Sequence, residues 1–370
     1  MEKKLKILHL NTGLVAGGAE RLISDMLPVM KEQGHQVDLL ILEDKQNNIF
    51  EQELKTNDIK IVKAKYNKKF SLKNFLFVRK YIREYDIVHS HVFPIQYWVL
   101  LATLGLKKKP ILFTTEHNTF NRRRKYKLLQ KVEKFIYSRY DHIISISDET
   151  QQNLLEWLNR NKSSKFSVIQ NGVNLNKFKN SDRINLHDLL EIKYDSKNKF
   201  LLMVARFDEQ KDHLTVLKSL LELPQNIKMI FVGEGKLQDT YEDMVKQYKL
   251  ESRVFFMGKR TDVHKITKSV DVCILSSIWE GFGLVAIEGM AAGKPVIVSK
   301  VPGLENVVGN AGLLFEKGNS GDLATLIREI LNDSKLYEKF GLKGIKHAEQ
   351  YSIENMVSEY IKFYYKYKNE

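Results

Sequence analysis

Short apolar runs alternate along this chain with longer stretches in which apolar residues recur at helical spacing. "KLKILHLNT" is a strand-like run ending in a glycine loop, "AERLISDMLPVMKEQ" has the 3.6-residue period and stops at Gly34, and "HQVDLLILE" is the next run. The alternation continues through "DIKIVKA", "YDIVHSHV", "PILFTTEH", "DHIISIS" and "FSVIQNG", and one α/β domain is predicted over residues 1–172. A polar stretch, 173–198, holds two small apolar islands and no clear strand, and reads as a linker. The alternation then restarts with "KFLLMVAR", "IKMIFVG", "RVFFMG", "DVCILSS", "KPVIVS" and "AGLLF", which predicts a second domain over 199–352. Strands separated by helices imply right-handed crossovers and parallel sheets. The expected architecture is two Rossmann-like domains whose parallel sheets face each other across a cleft. The last segment, 353–370, is helical and rich in aromatics, and is expected to cross back toward the first domain.

Composition narrows the classes. With 370 residues, 43% apolar and only 6 prolines, the chain is folded and too long for one ordinary core. The single cysteine, Cys273, excludes an internal disulfide framework and favours a reducing, cytoplasmic setting. The start "MEKKLKILHL" turns polar too soon for a signal peptide, and the longest apolar stretch, 92–106, contains Gln96 and is short for a membrane span.

The net charge of +14 is unevenly placed: residues 1–180 carry all of the excess and 181–370 are balanced. Within the first half, "KKK" at 107–109 and "RRRKYK" at 122–127 form a basic segment, and 122–134 read as an amphipathic helix. Such a segment suits a phosphorylated substrate or an anionic membrane surface. Nucleic acid is not expected, since no base-reading or stacking module is visible.

The candidate chemistry concentrates in "SSIWEGFGLVAIEGMAAGKPVIVS", residues 276–299. Glu280 falls in the loop after a strand, and Glu288 about one turn inside a helix expected to begin near Gly283 and stop at Gly293. Two spaced carboxylates in apolar, glycine-rich company suit a ligand with two polyol parts, while glycines at 281 and 283 let it approach the helix amides. Arg206 and Lys211 flank the turn after "FLLMVA" and can meet a leaving group that develops negative charge. No Asp-x-Asp element is present to hold a metal ion. Gly17 and Gly18 open the first helix without a Walker lysine. His117 ends the strand "ILFTTEH". His89 and His91 point to one face of theirs, where a zinc site lacks a third visible ligand.

The motif E-G-F-G-L-V-A-I-E at 280–288 resembles the signature of the retaining glycosyltransferases of family 4, which have the GT-B fold. "GLVAGGAERLISDML", "VHSHV", "VIQNGVN", "VARFDEQKD", "VGEGKLQ" and "PVIVSKVPGLENVV" also resemble segments of that family and extend the likeness over nearly the whole chain. The resemblance implies an N-terminal acceptor domain and a C-terminal domain for a nucleotide-sugar donor, UDP before GDP, with no metal or other cofactor. It implies that Glu280 touches the transferred sugar and Glu288 the ribose hydroxyls. Phe282, Gly283, Leu284 and Val285 would meet the donor through their backbone, and Gly17 and Gly18 its phosphate or sugar. Arg206 and Lys211 would stabilise the diphosphate, His117 would contact the sugar, and His91 would line the acceptor side. The implied acceptor is a saccharide or polyprenyl-diphosphate-linked saccharide of bacterial capsule, exopolysaccharide or lipopolysaccharide synthesis, met by a peripheral protein at the inner face of the membrane. An inverting transferase or epimerase on the same fold, with His117 as base, is the alternative; a binding module without turnover is a third.

Overall fold

The computed structural model describes residues 4–14, 17–44, 49–119 and 121–369. The chain forms two compact units, one of residues 1–172 with 353–370 and the other of 173–352.

The first unit is built on seven strands: β1 (Lys6–Asn11), β2 (Gln36–Ile41), β3 (Lys60–Lys63), β4 (Ile87–Ser90), β5 (Ile111–Glu116), β6 (His142–Ser145) and β7 (Phe166–Val168). All pair in parallel, in the order β3-β2-β1-β4-β5-β6-β7. Because side chains alternate along a strand, neighbouring apolar residues are sorted to opposite faces. Ile7, Leu39, Ile87 and Phe113 pack under the Gly18–Glu32 helix and the C-terminal Ile353–Asn369 helix. Leu8, Leu40, Val88 and Leu112 pack under the helices Lys73–Ile82, Ile95–Thr103, Lys127–Ser138 and Asp148–Leu158. Strands covered on both faces need continuous apolar runs, which explains why they were visible as runs.

The second unit has six parallel strands: β8 (Lys199–Val204), β9 (Ile227–Val232), β10 (Val254–Phe256), β11 (Val272–Leu275), β12 (Val296–Ser299) and β13 (Leu313–Phe315), in the order β10-β9-β8-β11-β12-β13. Residues 173–198, expected as a linker, fold onto this unit. They form the short helices Leu175–Lys179 and Leu186–Leu189 and bury Phe178, while the Ile184 N–H donates to Ser269 Oγ at 2.8 Å. Their apolar islands are docking points, too short to register as elements by period.

In each sheet the chain builds outward in one direction, then returns to start the other side. The reversal lies between β1 and β4 in the first unit and between β8 and β11 in the second. Loops leaving the carboxyl ends of two strands that diverge in this way leave a crevice, where α/β proteins place ligands.

Candidate active site

In the second unit the loops after β8 and β11 are stitched together. Ser276 Oγ donates to the carbonyls of Lys211 and Asp212 at 3.0 and 2.9 Å, and the Ile278 N–H donates to the Gln210 carbonyl at 2.7 Å. Gln210 Nε2 donates to the Trp279 carbonyl at 3.0 Å. This brings the Lys211 ammonium onto Glu280 Oε2, which also accepts from Ser277 Oγ at 3.1 Å; Glu280 Oε1 accepts from the Gly281 N–H at 3.2 Å. The side chains of Lys211 and Glu280 are 15% and 13% exposed, so the pair is largely desolvated and oriented.

Past Glu280 the backbone turns through Gly283, at φ +84°, into the helix Leu284–Ala291. No side chain caps this helix. The turn is pressed from behind by the helix Pro302–Val308: a Cβ on Gly303 would lie 1.9 Å from the Glu280 carbonyl oxygen. A left-handed residue and a side-chain-free contact therefore set the direction of the Glu280 loop. Glu288 is buried in the second turn of the same helix. Phe282 is also buried, its ring edge-on to Tyr351 with centroids 5.5 Å apart, so only its backbone is left for a ligand. Leu284 and Val285 are half-buried.

Arg206 stands apart from this pair. It bridges to Asp208 at 3.2 Å with its side chain 62% exposed, whereas the five-residue spacing to Lys211 pointed to one shared target. Two residues invisible to motif reading also belong here. Ser277 is a second donor to Glu280, and His213 is buried with its ring stacked on Phe207 at 4.3 Å. Both His213 ring nitrogens are without a partner among the described residues, and burial pushes its pKa down to about 3.

In the first unit the ends of β1, β4 and β5 carry a row of imidazoles. His9 Nδ1 meets His91 Nε2 at 3.0 Å, and His91 Nδ1 meets His117 Nε2 at 3.0 Å. His89 stacks on both His9 and His91, with its nitrogens held by Tyr364 OH at 2.6 Å and Thr115 Oγ1 at 2.8 Å. Burial is the main cause that lowers all four pKa values, to about 3 for His9 and about 4 for His117. These rings are neutral at pH 7.

His9, His89 and His91 offer nitrogens within 4.8 Å of one another, the third nitrogen ligand that sequence reading did not find. Yet both nitrogens of His89 and of His91 are engaged, and these two rings lie parallel within 4°. Stacked rings direct their lone pairs side by side, not toward one centre, so the trio does not fit a tetrahedral ion. On the β1 loop, Gly17 is an extended N-cap and Gly18 begins the first helix, again without a side-chain cap. Asn11 Nδ2 braces this loop by donating to the Gly13 carbonyl at 2.7 Å.

The basic segment is partly inward-facing. Arg123 pairs with buried Glu133 at 2.6 Å, and Arg124 lies 3.7 Å from buried Glu116. What the helix Lys127–Ser138 does expose is Leu128, Val132 and Phe135 along one stripe, with Lys127 and Lys131 beside them.

Comparison with known proteins supplies the context for this geometry. Residues 16–177 match the family model "Glycosyltransferase Family 4", and 191–347 match "Glycosyl transferases group 1". The chain is 28% identical to an Escherichia coli UDP-Gal:alpha-D-GlcNAc-diphosphoundecaprenol alpha-1,3-galactosyltransferase, over 90% of this chain and 89% of that one. It is 24% identical to a Campylobacter jejuni N-acetylgalactosamine-N,N'-diacetylbacillosaminyl-diphospho-undecaprenol 4-alpha-N-acetylgalactosaminyltransferase, over 98% and 99%. Its fold is similar to that of Anabaena HepE, solved in complex with UDP and glucose, with a TM-score of 0.82 at 20% identity over 97% and 99% of the two chains. The chain therefore belongs to the glycosyltransferases of family 4 and group 1, and is a glycosyltransferase of the GT-B type.

Proposed function

We propose that this enzyme transfers a sugar from a UDP-sugar, with a GDP-sugar the second choice, to a hydroxyl of a saccharide or polyprenyl-diphosphate-linked saccharide, retaining the anomeric configuration and using no metal ion. The observation that carries the reading is the desolvated Lys211–Glu280 pair beside the uncapped, Gly283-led helix at the strand reversal of the second sheet. A cation already held beside a carboxylate can meet a diphosphate while the carboxylate meets sugar hydroxyls. The UDP in the HepE complex and the undecaprenyl-linked acceptors named for the two relatives support the same choice of donor and acceptor.

In this mechanism the bond from the anomeric carbon to the diphosphate oxygen breaks as charge builds on the departing group. Lys211, joined by Arg206, stabilises that charge. The acceptor oxygen bonds to the same face of the sugar, and its proton passes to the departing phosphate. Glu280 orients sugar hydroxyls, Glu288 the ribose, and the amides of residues 282–285 the rest of the donor. Gly17, Gly18 and His117 are assigned to the ligand on the first unit; His91, expected to line the acceptor side, is fully buried with both ring nitrogens engaged and stands behind His117. The exposed stripe of Leu128, Val132 and Phe135 among lysines is assigned to the inner face of an anionic membrane, where a polyprenyl acceptor resides, in bacterial surface-polysaccharide assembly. Among the described residues no helix is long and apolar enough to cross a membrane.

A thermal-shift screen across UDP, GDP and ADP tests the donor base, since a ligand of the folded state raises its melting temperature. Glu288→Ala is expected to weaken nucleotide binding by about tenfold or more, the loss of a charged hydrogen bond. Turnover of UDP-sugars with a lipid-linked acceptor, the product anomer read by NMR, tests the rest. Equal turnover by wild type and an Arg206→Ala, Lys211→Ala double variant overturns the mechanism, and an inverted anomer overturns retention.

A further inference from the structure

His9, His91 and His117 come from three adjacent strands or their ends and are joined by two ring-to-ring hydrogen bonds, each 3.0 Å. A neutral imidazole has one N–H and one bare nitrogen. Two bare nitrogens, or two N–H groups, cannot face each other at this distance, so the protons of the row must all run in the same direction. Only two arrangements remain.

In the first, His117 donates from Nε2 to His91, His91 donates from Nε2 to His9, and His9 is left with an N–H on Nε2. That atom is buried and has no hydrogen-bond partner among the described residues. In the second, His9 donates from Nδ1 to His91 Nε2, His91 donates from Nδ1 to His117 Nε2, and His117 carries its N–H on Nδ1. The atom left over in the interior is then a bare lone pair. Orphaned buried N–H groups are rarer and costlier than under-used acceptors, so the second arrangement prevails.

We propose that His9 and His91 are positioning residues that fix the tautomer of His117, making it a neutral hydrogen-bond donor through Nδ1 to a substrate oxygen and not a base. The half-buried His117 is the member of the row that opens toward ligand. This rests on the reading that His117 contacts substrate. His89 keeps the column from slipping, because it stacks at 5.2 Å on His9 and 4.6 Å on His91 while Tyr364 and Thr115 hold both its nitrogens. Tyr364 belongs to the Ile353–Asn369 helix, so the last helix of the chain supports the row from below. The lowered pKa values agree with rings that stay neutral while they work. One consequence concerns stereochemistry: a His117 that already holds a proton on its outward nitrogen cannot take the acceptor's proton there, as an inverting enzyme would require.

The test is the long-range ¹H–¹⁵N spectrum of histidine-labelled protein. His9, His91 and His117 are expected to show protonated Nδ1 and bare Nε2, and protonated Nε2 on His91 and His117 overturns the relay. Kinetics supply the second arm. His9→Leu should lower kcat about tenfold with KM little changed, by loosening His117, and should let its tautomer revert to a mixture. His9→Gln, whose amide N–H can replace the donor, should restore most of kcat. If the two variants lose equally and His117 keeps its Nδ1 proton in both, His9 is not a positioning residue. The spectrum reads the relay by itself, while the turnover of His117→Ala reads the substrate contact; undiminished turnover there overturns the contact and leaves the tautomer assignment standing.

Discussion

The Lys211 ammonium and the Glu280 carboxylate meet across 69 residues of chain, each largely buried, with Ser277 as a third partner. Their meeting follows from the adjacency of β8 and β11, whose following loops share one end of the sheet. Removing either partner leaves a mostly desolvated charge, the costly way to disturb an ion pair. Lys211→Ala and Glu280→Ala should each destabilise the second unit by about 2 kcal/mol, and the double variant by little more than the worse single one. Urea unfolding of the four proteins, followed through Trp279 fluorescence, measures the coupling. Additive losses would show that the two charges do not sense each other.

The alternation of strand and helix was legible because both faces of each sheet are covered, which forces unbroken apolar runs such as "KFLLMV". The Glu280 loop was legible too, since its glycines are needed locally. The partner of Glu280 was not: Lys211 and Arg206 looked equivalent by spacing, and only the folded path of the loop after β8, tied to the loop after β11, separates a cation held largely desolvated on Glu280 from one held by Asp208 at the surface. Arg123 and Arg124 illustrate the same limit. A run of cations reads as solvated until Glu133 and Glu116 arrive from other elements. His9 left one faint trace, a histidine inside the apolar run "KILHLN" that pairs in register with His89 on β4, two residues before His91.

The contact of Gly303 with the Glu280 carbonyl gives a test of how tightly the loop is set. A methyl group at 303 would sit 1.9 Å from that oxygen, which is backbone and has no flexible end to swing away. Gly303→Ala should cost about 2 kcal/mol or more and lower turnover by displacing Glu280. Gly34→Ala is the control: its φ of +91° carries strain, but nothing lies within 4 Å of the added carbon. About 1 kcal/mol is expected there, with turnover unchanged. Melting temperatures and initial rates of the two variants decide the matter; equal loss of turnover would remove the special role of position 303.

The exposed stripe on the helix Lys127–Ser138 predicts binding to anionic vesicles. Leu128 and Phe135 are 78% and 52% exposed, so Leu128→Glu with Phe135→Glu should leave the melting temperature within about 1 °C of wild type, as surface changes do. The same pair should reduce sedimentation with phosphatidylglycerol vesicles at least tenfold, with phosphatidylcholine vesicles binding weakly throughout. Undiminished sedimentation of the double variant would place the membrane contact elsewhere.

Five histidines are fully buried, His9, His89, His91, His142 and His213, and burial lowers the pKa of each; three of them, His9, His142 and His213, suffice to set the behaviour in acid. Burial lowers their pKa values in the folded state from 6.5 to about 3, 4 and 3. Below pH 6.5 the unfolded chain therefore binds protons that the folded chain refuses, and the free energy of unfolding falls as pH falls. The contribution is fully present above 6.5 and is lost progressively between 6.5 and about 3, at up to about 1.4 kcal/mol per pH unit for each histidine. Against an ordinary stability of about 5–15 kcal/mol, three such groups should unfold the protein before pH 4. Replacing His213 by Leu, which keeps an apolar contact with Phe207 and has no proton to bind, should flatten the slope of melting temperature against pH between 6.5 and 4. An unchanged slope would mean that His213 is not refused its proton in the folded state.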